Sequence, residues 1–174
     1  MKTTTQNTTI TGRIETNEYT HDQLPECWQS MSDSERLKYL QDVDPVASDT
    51  TYNTTVAGMH EYFAINLDPT QTLQEEITHL ALGDDDSTPA TSDDSLNNEV
   101  FRKATTDNSQ NQNNLTASTF IDYTEANGNT IREVGLFAGP DTSDRMWNHA
   151  VVSDIVKDSD RTITVDITLT FSAE

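Results

Sequence analysis

The apolar residues of this chain follow two different periods, and the change between them lies near residue 70. In the first part, Leu37, Leu40 and Val43 recur at helical spacing until Pro45. They follow the segment "SDSE", in which Ser32 and Glu35 fit a capping box, and Trp28 supplies a further apolar anchor. A second short amphipathic helix is predicted from about residue 56 to residue 67, with an apolar face formed by Val56, Met59, Phe63 and Leu67.

After residue 76 the period becomes two, which predicts strands. The clearest strand is "RTITVDITLTF" (161–171), where large apolar residues alternate with Thr and Asp, as in a half-buried antiparallel strand with one wet face. The polar run 106–114 is predicted to be a turn or a mobile hairpin tip. Further strands are predicted at 77–82, 98–105, 115–123, 130–138 and 145–152.

About six strands joined by short polar loops predict an antiparallel β-sandwich or small barrel. The predicted class is therefore mainly β (α+β), with two short N-terminal helices and an extended N-terminal arm. We divide the chain into residues 1–54, an arm with a short helix for assembly or docking, and residues 55–174, a helix plus the antiparallel β-domain.

The stretch "IREVGLF" (131–137) does not alternate like the last strand. In a regular strand, Ile131 and Phe137 lie on one face, and Val134 and Leu136 lie on the other. A strand that is apolar on both faces is normally central in its sheet or covered by another element or subunit. Gly135 is then expected to mark a bulge or a close backbone approach.

Charge narrows the possible environment and partners. The formal net charge is −20, from 30 acidic and 10 basic residues, and the mean hydropathy is −0.68. This charge disfavours binding to nucleic acid or to anionic membranes. Because salt screens the repulsion between carboxylates, the composition indicates a protein adapted to high salt. No apolar run approaches the ~20 residues that span a bilayer, and the first residues lack an apolar core, so we expect a soluble chain without a cleaved leader.

The acidic loop after residue 83 holds the candidate ligands for a hard cation, Asp84, Asp86 and Asp93. The spacing lacks the alternating acids and mid-loop Gly of a calcium loop, and a solvated acidic loop explains it better. The single cysteine, Cys27, has no neighbouring His, and no catalytic or nucleotide-binding motif occurs. We therefore predict no catalytic residue, no metal site and no cofactor. The four histidines are scattered and show no metal-ligand spacing: His21, His60, His79 and His149.

Two stretches resemble a module of tailed-virus structural proteins, found in tail-fibre and tail-collar-like proteins. The first is "EITHLALGDDDSTPATSDDSLNNEVFRKAT" (76–105), and the second is "ANGNTIREVGLFAG" (126–139). The resemblance covers about residues 55–172, and the Asp-rich loop makes the chain similar to a haloarchaeal version of the module. The residues that we expect to support structure or assembly are Gly83, Asn98, Glu99, Arg102, Arg132, Glu133, Gly135, Leu136, Phe137 and Trp28.

The resemblance implies a non-enzymatic role in a virion, made in the host cytoplasm at high salt. It implies a homo-oligomer, with trimers or pentamers favoured, in contact with other virion proteins at the tail fibre, the baseplate or a fibre attachment. Glu99 and Glu133 are expected to pair with Arg102 and Arg132 across neighbouring strands, as structural ion pairs. Alternatives are a capsid turret or decoration protein, a module that binds a host receptor or glycan, and a small hydrolase using an Asp/Glu pair.

Overall fold

The fold is described from a computed structural model that covers residues 8–66, 68, 70 and 75–173. It is mainly β, as predicted, with nine antiparallel strands in one curled sheet and two α-helices. The helices are α1 (Asp33–Gln41) and α2 (Ala57–Asn66). The strands are β1 (Thr8–Thr20), β2 (Ala47–Thr55), β3 (His79–Gly83), β4 (Glu99–Ala104), β5 (Asp107–Asn111), β6 (Asn114–Ile121), β7 (Asn129–Phe137), β8 (Met146–Lys157) and β9 (Arg161–Ala173).

The sheet has the order β4-β3-β7-β8-β2-β1-β9-β6-β5, so its edges are β4 and β5. Strand β2 joins the two halves: it pairs with β1 along most of its length, and Thr54 and Thr55 pair with β8. The chain passes directly from one edge strand to the other, where the amides of Thr105 and Thr106 donate to Thr78 O and Ser118 O, each at 2.8 Å. The sheet therefore curls into a half-barrel instead of forming the two sheets of a sandwich, and we call the corner at residues 105–106, where β4 leads into β5, the seam.

The main core lies inside the curl. Strand β9 is central, between β1 and β6, and its residues Ile163, Val165, Ile167 and Leu169 are fully buried. This confirms the apolar face predicted from alternation. The opposite face is not wholly wet, because Thr162 and Thr164 are buried as well.

Residues 8–55 contribute two inner strands of the sheet. Part of the predicted N-terminal arm is strand β1, which pairs with β9 along its whole length from Thr8 to Thr20. The boundary expected at residue 54 falls inside β2, and the sheet continues across it. Whether this segment also docks on another subunit stays a prediction.

Helix α1 begins as its sequence predicts and covers the outer side of the sheet. The Ser32 hydroxyl accepts from the amide of Glu35, and the Glu35 carboxylate accepts from the amide of Ser32 at 2.8 Å, which completes the capping box. Leu40 packs with Trp28 and with Phe120 of β6 in a second apolar cluster. Trp28 is thus the anchor that was expected, and its indole donates to Asp122 at 3.1 Å.

Two boundaries differ from the predictions. The run 106–114, expected to be a turn or a mobile hairpin tip, contains β5, whose residues are all exposed at the sheet edge. The chain reverses only at Gln112, which has a positive φ of 54°. Strand β8 continues to Lys157, five residues beyond the predicted end at residue 152.

Candidate functional site

The stretches 76–105 and 126–139, singled out from the sequence, contribute neighbouring strands around one buried carboxylate. Strand β3 lies between β4 and β7, so the first stretch flanks the second in the sheet. Gly83 and Glu133 are directly opposed across β3 and β7, and the loop from residue 84 to residue 98 folds back over this pair. The motif residues are therefore brought together by strand pairing.

Glu133 lies at the centre of this arrangement with its side chain fully buried. Its two oxygens accept hydrogen bonds from the backbone amides of Asn98 at 2.8 Å and Asn97 at 3.0 Å. The second oxygen also lies 2.8 Å from Nε2 of His149 on β8. The two backbone donors and the contact with His149 replace the lost hydration of this buried carboxylate, so it can hold the end of the acidic loop against the sheet.

His149 extends this contact to a second carboxylate. Its ring is fully buried, and Nδ1 lies 2.8 Å from Oδ2 of Asp93. Both ring nitrogens thus face carboxylate oxygens, and a ring protonated on both nitrogens donates to Asp93 and Glu133 at once. Asp93 also accepts from the amide of Ala90 at 2.8 Å, which fixes the middle of the loop. We name this set, Asp93, His149 and Glu133, the buried acid–histidine clamp.

The expected ion pairs between the two motifs do not form as predicted. Glu99 pairs with Arg102 three residues further along the same strand, with bonds of 2.8 and 2.6 Å. Arg132 pairs with Asp154 of β8 at 3.0 and 3.2 Å. Glu133 takes His149 of β8 as its partner, so it forms no ion pair with either of the two arginines named from the sequence.

Arg102 is a second organising residue. Its guanidinium lies 3.7 Å from the ring centroid of Phe137 and also donates to the carbonyls of Gly139 and Asp141. Its side chain is only 7% exposed, so these contacts and Glu99 replace its hydration. Arg102 therefore ties β4 to the end of β7 and to the turn that follows it.

Gly135 marks a close backbone approach and not a bulge. A Cβ at this position would lie 2.9 Å from Asn148 O and 3.1 Å from Leu96 Cδ2. The register shifts lie elsewhere, between Ile131 and Glu133 and between Leu136 and Phe137.

The register shifts also change the predicted faces of β7. Ile131, expected on the same face as Phe137, belongs to the main core with Val134 and Leu136. Phe137 belongs to a separate cluster with Leu96. At the second shift, the side-chain oxygen of Asn148 accepts from the amide of Leu136 at 3.0 Å and so replaces a regular strand bond.

The structure does not gather the candidate metal ligands into one site. Asp84 accepts from the Asn98 side chain at 2.6 Å, Asp93 belongs to the buried clamp, and Asp86 is exposed. Hydrogen bonds from Ser87 hold the pKa of Asp85 below its usual value. Within residues 8–66, 68, 70 and 75–173, no group of three or more His, Cys, Asp or Glu side chains is placed to hold a metal ion.

A cleft of about 870 Å³ opens where α2 faces the seam of the sheet. Its floor carries Trp147 of β8 and Leu169 of β9, and α2 contributes Tyr62 and Phe63 to its wall. The sequence pattern does not reveal this cleft, because its lining comes from segments that lie more than a hundred residues apart along the chain. The Tyr62 and Trp147 rings meet edge to face, with centroids 4.8 Å apart.

The comparisons with known proteins add no relative. Searches against protein-family models, curated proteins and solved structures found no match to this chain. In the part of the chain that the structure describes, no helix has the length and apolar character needed to cross a membrane.

Proposed function

We propose that this chain is a non-enzymatic structural protein of a haloarchaeal tailed virus, acting as a homo-oligomer at the tail fibre, the baseplate or a fibre attachment. The observation that carries the proposal is the burial and hydrogen bonding of the motif residues. Glu133 and its partner His149 are fully buried, and their polar atoms are engaged with backbone amides and with Asp93. The residues that give the virus-like resemblance thus hold strands and a loop together.

The same burial argues against the hydrolase hypothesis. A general acid or base has to come within hydrogen-bonding distance of a substrate atom. Glu133 is inaccessible, and Glu99 is engaged by both Arg102 bonds. The two acids singled out by sequence are therefore better explained as fold determinants.

The surface supports a role in assembly at high salt. A formal net charge of −20 on 174 residues opposes close packing of subunits in dilute buffer, and molar salt reduces this repulsion. Both edge strands, β4 and β5, are short, which limits uncontrolled edge-to-edge pairing. Oligomers of defined order are the expected result.

The mass of the oligomer and the location of the chain on virus particles test the proposal together. We expect sedimentation velocity of the purified chain in molar NaCl to give a single trimer or pentamer. An antibody against the chain, with gold labelling, should mark the tails of virus particles in electron micrographs. A monomer at all concentrations, together with unlabelled particles, would contradict the proposal. Label confined to the capsid surface would replace the tail assignment with the turret or decoration alternative.

A further inference from the structure

The cleft between α2 and the sheet seam has a floor suited to the apolar face of a ligand. Phe63 is 37% exposed, and its ring meets that of Phe171 edge to face at 5.5 Å. Tyr62 in the wall and Trp147 in the floor, which is only 3% exposed, continue this aromatic surface. Small-molecule sites commonly have volumes of roughly 300–1,000 Å³ and a mainly apolar lining, and the cleft of about 870 Å³ lies in this range.

The rim of the cleft has a different chemistry, because it is built from side-chain amides. The edge strand β5 and the turn after it contribute Asn108, Gln110, Gln112 and Asn113. An amide side chain offers both donors and acceptors, which matches the hydroxyl group, itself a donor and an acceptor. The Asn108 amide nitrogen donates to Ile77 O at 2.8 Å across the seam, so this part of the rim is held in place.

The charges of the lining select against anions. Among the described residues that line the cleft, none is Lys, Arg or His, whereas Glu75 and Glu76 are present. Glu75 is neutralised by Arg145 at 2.7 Å, and Glu76 is exposed. A ligand with its own negative charge would meet carboxylates at the rim and an apolar floor that cannot solvate it.

From this combination we propose that the cleft binds a neutral oligosaccharide. Sugar rings have an apolar C–H face that packs on aromatic rings, and their edges carry hydroxyl groups that amides can bind. The floor and rim present these two chemistries side by side in a space large enough for more than one sugar unit. This inference rests on the cleft alone and does not depend on the proposed virion role.

Binding can be tested on the full chain with defined sugars. Cellotetraose, maltotetraose and mannotetraose are titrated by calorimetry in molar KCl, and saturation-transfer NMR identifies the sugar protons in contact. We expect at least one tetrasaccharide to bind, with the strongest transfer to protons on a ring face. Tetragalacturonate, which carries carboxylates, should bind more weakly than that neutral sugar.

Variants then localise the site. Phe63→Ala should weaken binding about tenfold, because it removes a stacking surface, and Gln110→Ala should weaken it through the rim. Tyr52→Ala is the matched control, since Tyr52 is 74% exposed on β2 and lies outside the cleft. Circular dichroism melting curves check that each variant is folded.

Three results would overturn the inference. The first is that none of the neutral tetrasaccharides binds the folded wild-type chain at millimolar concentration. The second is that binding is unchanged in folded Phe63→Ala and Gln110→Ala. The third is that the neutral dye Nile red occupies the cleft while the tetrasaccharides fail to displace it, which would identify a purely apolar ligand.

Discussion

Gly83 leaves the space that the carboxylate of Glu133 occupies. The two residues are opposed across β3 and β7. A Cβ at Gly83 would overlap the carboxylate and would lie 2.6 Å from Glu133 Cγ and 2.7 Å from Asn98 O. A side chain at this position and the buried acid–histidine clamp are therefore mutually exclusive.

Gly83→Ala should destabilise the fold by about 2–4 kcal/mol. Overpacking of a core costs roughly 1–3 kcal/mol, and displacing Glu133 also weakens its bonds to backbone amides. Urea unfolding in molar KCl, followed by circular dichroism, measures the loss. Gly139→Ala is the control, because the three atoms nearest to its Cβ would all belong to the carboxylate end of Asp144, which can move. Equal unfolding midpoints for the two variants would contradict this account of Gly83.

Glu133→Gln should destabilise the fold by about 3 kcal/mol or more. The amide has one acceptor oxygen, so its NH₂ group would face a backbone N–H or the His149 ring, and burial makes an unpaired group costly. Hydrogen exchange should show faster exchange at the amides of Asn97 and Asn98, the two donors to the carboxylate. This local readout separates loss of the clamp from a general weakening of the sheet.

The matched control is Glu61→Gln, which also removes a carboxylate charge. Glu61 is 63% exposed and pairs with Arg145 on the surface. Exposed ion pairs contribute about 0–1 kcal/mol, so this variant should remain close to wild type in its urea midpoint. If both Gln variants lost the same stability, burial of the clamp would not be the cause.

The sequence predicted those helices and strands whose pattern is visible within their own residues. The alternation of β9 and the capping box of α1 are both visible within a dozen residues, and both are present. Strands β1, β2 and β5 were missed because they are rich in Thr, Asn and other polar residues. In β1, only a few side chains, such as Ile14 and Tyr19, enter a core, and pairing with β9 and β2 fixes the rest.

The candidate sites depended on relationships that the sequence does not display. Glu133 was singled out from its sequence motif, but its partner His149 follows from the register in which β7 and β8 pair. Asp93 reaches the same ring only because the acidic loop folds back over the sheet. The cleft likewise needs α2 and the edge strand β5 to approach each other, and neither segment has a motif that predicts this.

Lys157 lies at the end of β8 that is distant from His149, and it predicts how the stability of the fold changes with pH. Its side chain is fully buried, donates to Asn127 at 2.8 Å, and burial lowers the pKa of its amine to about 8 from 10.5. Between these two values the unfolded chain binds more protons than the folded chain, so stability attributable to Lys157 rises with pH. From pH 7.5 to 10.5, wild type should gain about 2–3 kcal/mol relative to Lys157→Met.

Urea unfolding of both chains across this pH range measures the difference, and groups common to both chains cancel. Lys38→Met supplies the control, because Lys38 is exposed on α1 and stays in water on folding. Its difference from wild type should not show the gain expected for Lys157→Met. A constant difference for Lys157→Met as well would mean that burial of the amine does not cost free energy in the folded state.

The melting temperature should rise steeply between 0.1 and 2 M KCl. The Debye length falls from about 10 Å to below about 3 Å over this range, so the exposed carboxylates cease to repel one another.

A variant with Glu26→Gln, Asp44→Asn, Asp86→Asn and Asp107→Asn replaces four exposed acids and changes the net charge from −20 to −16. It should melt at a higher temperature than wild type in 0.1 M KCl and approach it in 2 M KCl. Salt-independent melting of wild type would show that repulsion among its acidic groups does not limit its stability, and the high-salt origin would lose its main support.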